Sequence, residues 1–85
     1  MCRMAAVLAE TFAAAQGNSL SLYPSEVAKK AQVSQQVVGE VFRALAERGY
    51  MECIKTDRRM RCVVMRSSPL WSTEYDKIYN ILETL

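Results

Sequence analysis

The chain has 85 residues, 51% of them hydrophobic and 24% charged, with a net charge of +2 and no histidine. A chain of that size makes one small domain with a modest core, and its apolar content excludes a disordered polymer. No apolar run approaches the ~20 residues needed to span a bilayer, so no membrane partner is expected.

Charge is unevenly placed. Between Lys29 and Arg66 there are nine basic residues (Lys29, Lys30, Arg43, Arg48, Lys55, Arg58, Arg59, Arg61, Arg66) against Glu40, Glu47, Glu52 and Asp57, a balance of +5. Residues 1–28 sum to −1 and residues 67–85 to −2. A basic middle between acidic ends implies one face suited to a polyanion.

The first element is a helix over residues 2–16, with Met4, Val7, Leu8, Phe12 and Ala15 as its buried stripe. Its apolar middle is interrupted by Glu10 and its period is helical, which marks a domain helix rather than a signal peptide. A cytoplasmic, nucleoid-associated location is therefore expected. Gly17-Asn18-Ser19 ends the helix, and Leu20-Ser21-Leu22 alternates as either a short strand or an extended link. Tyr23-Pro24-Ser25-Glu26 opens a short second helix, because proline fits a first position whose amide has no intrahelical partner. Val27, Ala28 and Ala31 face inward, Lys29 and Lys30 outward.

After the turn Gln32-Val33-Ser34, with Val33 as its apolar plug, comes the most informative stretch, QVSQQVVGEVFRALAERGY. Ser34 is suited to cap the start and Gly49 to close the end, defining a helix over residues 34–48. Val37, Val38, Val41, Phe42 and Leu45 recur at steps that place them on its buried face. Gln35, Gln36, Gly39, Glu40 and Arg43 are left facing outward. Glutamine and arginine can bond adenine and guanine edges respectively through two hydrogen bonds, and glycine permits close approach.

Beyond Gly49 the period changes to two. Residues 50–55 and 60–65 read as a β-hairpin, with a loop of either two residues (Asp57-Arg58) or four (Thr56 to Arg59) in the same register. Cys53 then faces Cys62, Ile54 faces Arg61 and Lys55 faces Met60. Met51, Cys53, Cys62 and Val64 form an apolar face, while Arg58, Arg59 and Arg61 occupy the tip and the other face. The facing cysteines are either a cross-strand disulfide or two buried thiols. Ser67-Ser68-Pro69 breaks the ladder. A last helix then starts at Ser72 or Thr73, with Trp71, Tyr75, Ile78, Tyr79, Leu82 and Leu85 as its stripe. Tyr75, Ile78, Leu82 and Leu85 have the spacing of a coiled-coil seam with Trp71 one turn before. The stripe serves either a homodimer contact or packing against the first helix of the same chain.

Catalytic and ligand-binding patterns are missing. Without histidine there is no Ser-His or Cys-His pair, and three dispersed cysteines cannot complete a zinc site. Gly17, Gly39 and Gly49 are isolated, so no phosphate loop is present. No enzymatic activity, metal, cofactor or small-molecule ligand is expected.

The succession PSEVAKKAQVSQQVVGEVFRALAERGY, then MECIKTDRRMRCVVM, resembles the winged helix-turn-helix domain of small bacterial and archaeal transcription regulators. The resemblance covers roughly residues 4–66 and implies an α+β, mainly α fold: a three-helix core, a β-hairpin wing and an added C-terminal helix. Residues 1–66 would form the winged domain, and residues 67–85 a linker and helix. By resemblance the third helix enters the major groove of double-stranded DNA and the wing, residues 50–65, lies on the backbone or minor groove. It implies that Gln35, Gln36, Gly39 and Arg43 reach base edges. Lys29, Lys30, Ser34, Lys55, Arg58, Arg59 and Arg61 would then hold phosphates. Glu40 departs from the basic or hydroxyl residue common at its position, and either accepts from cytosine N4 or repels the backbone. A homodimer through the last helix would suit a palindromic operator. The alternative is a winged-helix protein-interaction module of a transcription or replication assembly.

Overall fold

The computed structural model describes residues 2–85. In chain order its elements are α1 (Cys2–Ala14), β1 (Ser19–Leu22), α2 (Pro24–Ala31), α3 (Gln35–Glu47), β2 (Glu52–Thr56), β3 (Arg59–Met65) and α4 (Tyr75–Glu83). The sheet is antiparallel in the order β1-β3-β2. Leu20-Ser21-Leu22 is thus a strand, and it pairs with the far side of the hairpin: Leu20 faces Val64 and Leu22 faces Cys62.

One apolar core serves all the helices and the inner face of the sheet. Met4, Leu8 and Phe12 of α1, Val27 and Ala28 of α2, and Val38, Phe42 and Leu45 of α3 meet there. Met51, Cys62 and Val64 of the hairpin close it from the sheet side. The helical period of α1 puts Ala5, Leu8, Ala9 and Phe12 together, and its alanines allow α2 and α4 to lie close against it.

Three expectations about helix stripes need correction. Helix α1 ends at Ala14, two residues earlier than the sequence suggests, and Ala15 and Val7 are only half-buried. Val37 is 45% exposed rather than buried. The buried arc of α3 is filled by Val38, Val41, Phe42 and Leu45, and Val37 falls about 40° beyond Val41 on an uncovered flank. Helix α4 starts at Tyr75 with Glu74 at its N-cap position, so neither Ser72 nor Thr73 caps it. The Ser72 hydroxyl instead accepts from the Glu74 amide at 3.0 Å, making a turn before the helix. At its start Lys77 donates to Glu74 at 2.8 Å, a contact that raises the ammonium above its ordinary pKa.

The C-terminal stripe packs on its own chain. Ile78 and Leu82 are 0% and 2% exposed in the common core, and α4 lies against α1. Trp71 stacks on Phe12 with ring centroids 5.2 Å apart, and the Arg66 guanidinium lies over the Trp71 ring at 4.7 Å. Arg48 donates to the Thr84 carbonyl at 3.0 Å, joining the end of α3 to the end of α4. Trp71, Ile78 and Leu82, three of the residues with seam-like spacing, thus have packing partners within their own chain. Each is taken up by an intrachain partner, because the small face of α1 leaves room for them. Of the five, Leu85 is half-buried against the core and Tyr75 is 37% exposed.

Candidate nucleic-acid interface

Helices α2 and α3 are set by two backbone reversals. Gln32 ends α2 in the left-handed region at φ 58°, and the Val33 amide reaches back to the Ala28 carbonyl at 3.1 Å. Two residues later Ser34 turns the chain into α3, its hydroxyl accepting from the Gln36 amide at 3.1 Å. That hydroxyl keeps its own hydrogen and can still donate outward. At the other end Gly49 has φ 81°, its amide bonding Ala46 and the next amide, of Tyr50, bonding Leu45. This paired closure satisfies the last carbonyls and needs a residue free to adopt positive φ, which explains glycine there.

Between these fixed ends α3 shows two exposed rows. Gln35, Gly39 and Arg43, spaced four apart, line a groove facing the wing. Gln36, Glu40 and Glu47 are exposed as well but do not line that groove. No part of the fold requires a bare Cα at position 39, since a Cβ built on Gly39 meets nothing within 4 Å.

The wing supplies the opposite wall. Thr56 pairs with Arg59 across a two-residue turn, Asp57-Arg58, in which Asp57 takes φ 47°. Lys55 faces Met60 in that register, on the same side of the hairpin as the Cys53–Cys62 pair, so both side chains turn towards α3. The groove holds about 350 Å³ and is lined by Pro24, Ser25, Gln35, Gly39, Arg43, Lys55, Arg58, Arg59 and Met60. Four of these are cationic and none is a carboxylate.

Arg59 is held in place from α2. Its guanidinium lies 3.2 Å from the Glu26 carboxylate and 4.3 Å from the centre of the Tyr23 ring. Arg61 is on the outer face of the hairpin beside Ile54, Thr56 and Tyr23. Lys30 lines a different cleft with Val7, Glu10, Thr11 and Leu20, away from the groove, whereas Lys29 is exposed one turn after Ser25. The structure thus gathers Gln35, Gly39, Arg43, Lys55, Arg58 and Arg59 and leaves Lys30 apart. Sequence reasoning passed over Pro24, Ser25 and Met60 in the lining, and the Glu26–Tyr23 clamp on Arg59. The clamp joins residues 33 apart, and no local pattern announces it.

Cys53 and Cys62 are joined as a disulfide across β2 and β3, directly behind the groove. Cys62 is fully buried and Cys53 half-buried against the core.

Helix, turn, second helix and a basic hairpin flanking it define a recognisable arrangement. The chain is similar to the crystal structure of MepR, a transcription regulator of the Staphylococcus aureus multidrug efflux pump MepA, with a TM-score of 0.56 and 18% sequence identity. The fold is a winged helix-turn-helix. The superposition takes in 96% of this chain and 59% of MepR, so the winged helix described above corresponds to part of that longer protein. No protein-family model and no curated protein matches the chain. In winged-helix terms α2 and α3 are the helix-turn-helix pair, β2 and β3 are the wing, and β1 is the short strand that completes the sheet. Among the described residues, no helix is long and apolar enough to cross a membrane, and no group of three potential metal ligands gathers.

Proposed function

We propose that this winged helix binds double-stranded DNA sequence-specifically and acts as a transcription regulator. Helix α3 lies in the major groove and the wing on the adjoining backbone or minor groove. The observation that carries this reading is the groove itself. Two candidate base readers, Gln35 and Arg43, share it with Lys55, Arg58 and Arg59, and no carboxylate lines it. A helix about 10–12 Å across with its side chains fits the ~12 Å width of the major groove. Likeness to a structure described as a transcription regulator supports the same conclusion. On this reading the protein works in the cytoplasm, on the nucleoid. Two copies related by a two-fold axis would read a palindrome.

The test is selection of bound sequences from random duplexes at low salt, followed by a salt titration on the selected site. A defined consensus is expected, with log K falling against log salt with a slope of about −4 as phosphate contacts release counterions. Recovery of a palindrome would identify the two-fold pair. No duplex binding at low salt would overturn the reading in favour of a protein-interaction module.

A further inference from the structure

The described residues leave the outer face of the sheet open. Arg61 and Met65 of β3 and Glu52 and Ile54 of β2 are exposed there, with Val63 half-buried between them. An antiparallel sheet with one wet face ordinarily turns polar residues towards water. Here Ile54 is 47% and Met65 52% exposed, and Met65 shares a shallow cleft with Val63 and Glu52. The register orders four of these residues. Glu52 faces Val63 and Ile54 faces Arg61, so the two charges stand on one diagonal and the two apolar residues on the other. Diagonal neighbours of this kind are about 7–8 Å apart. Among the described residues neither Glu52 nor Arg61 has an ion-pair partner, whereas Arg59 on the same strand is held by Glu26.

We propose that this face is a contact between two copies of the chain, laid sheet to sheet about a two-fold axis along the Ile54–Val63 diagonal. Such an axis places Ile54 and Val63 each on its own counterpart. It also sets Glu52 against Arg61 of the second copy, and Arg61 against Glu52 of the second copy. An axis along the other diagonal would bring glutamate onto glutamate and arginine onto arginine, which like-charge repulsion excludes. Charge therefore selects both the occupant and its orientation, because an acid and a base across an apolar centre match their own two-fold image. None of these residues lines the groove between α3 and the wing, so the association needs no DNA.

The experiment is sedimentation equilibrium of the full chain without DNA, from micromolar to millimolar concentration. Wild type should pass from monomer to dimer within that range. Glu52→Arg and Arg61→Glu alone should each raise the dissociation constant about tenfold, since each change breaks two charge pairs per dimer. The double variant, with the charges exchanged, should return to the wild-type value. Ile54→Thr keeps a strand-forming residue, and should weaken the dimer about tenfold as apolar area is lost twice. Circular dichroism should show the same fold in every variant, because the substituted positions are exposed. A wild type that stays monomeric at millimolar concentration would overturn the proposal and leave the face to a different partner. So would a dimer indifferent to Glu52 and Ile54, or single changes that the exchange does not rescue.

Discussion

The guanidinium of Arg59 on the wing and the carboxylate of Glu26 on α2 are 3.2 Å apart, with the Tyr23 ring beneath the guanidinium at 4.3 Å. Both side chains are more than half exposed, so the ion pair contributes at most about 1 kcal/mol to stability. Its larger effect is on the groove, where Glu26 offsets one of the cations available to phosphate. Glu26→Gln keeps the side-chain size and removes that charge. DNA affinity should rise across all sequences, and the salt slope should steepen by about one unit. The melting temperature should hardly move. Unchanged affinity in a salt series would show that Arg59 already reaches phosphate with Glu26 in place.

Gly39 separates folding from recognition. A glycine inside a helix costs about 0.5–1 kcal/mol relative to alanine, and a Cβ at position 39 has open space. Gly39→Ala should therefore raise the melting point by a few degrees, since about 1 kcal/mol shifts a domain of this size by ~4–8 °C. The same methyl projects into the groove between Gln35 and Arg43, where on the proposed DNA-binding reading a base edge would approach. The variant should be more stable and bind its preferred duplex less tightly. Equal affinity for the two proteins would mean that the helix stands off from the bases at this point.

The parts of the fold that were readable in the sequence depend on neighbours along the chain. Ser34 and Gly49 mark the ends of α3 because a hydroxyl cap and a positive-φ closure are local devices. The turn at Asp57-Arg58 sets the whole wing register, so Cys53 opposite Cys62 and Lys55 opposite Met60 follow from alternation alone. What was not readable depends on distant neighbours. Val37 has the same apolar character as Val41, and its exposure follows from the absence of a covering element on that flank. Seam-like spacing in α4 is equally compatible with a partner chain and with α1, and the packing of Ile78 and Leu82 on the chain's own core depends on the space that the alanines of α1 leave. Lys30 looked equivalent to Lys29, yet one step of helix rotation carries it to the cleft with Glu10.

The Cys53–Cys62 bond closes a short loop, with a sequence separation of 9. Loop-closure entropy for that length is worth about 2–3 kcal/mol, a sizeable share of the stability of a domain this small. Urea denaturation with and without a dithiol should show a drop of that size. The reduced thiols remain as small apolar groups in a register that the backbone ladder also holds. DNA affinity measured well below the midpoint should consequently stay the same. A reduced protein that is folded but no longer binds would instead make the disulfide a determinant of wing geometry.

Ile78 and Leu82 distinguish a core role from a contact between chains. Both are almost completely buried among residues of their own chain, and Leu82→Ala or Ile78→Ala would leave a cavity against α1. Deletions of this kind cost about 2–5 kcal/mol. Against a total of roughly 4–13 kcal/mol for a domain of this length, either change should leave the protein barely folded at 37 °C. Because the loss comes from within one chain, the drop in denaturation midpoint should be independent of protein concentration. A dimer seam behaves differently: mass action makes the midpoint rise with concentration, and weakening the seam shifts that dependence. Equilibrium denaturation of wild type and Leu82→Ala over a hundredfold range of concentration reads the difference directly. A wild-type midpoint that climbs with concentration, and a variant whose midpoint does not, would return these residues to a dimer contact.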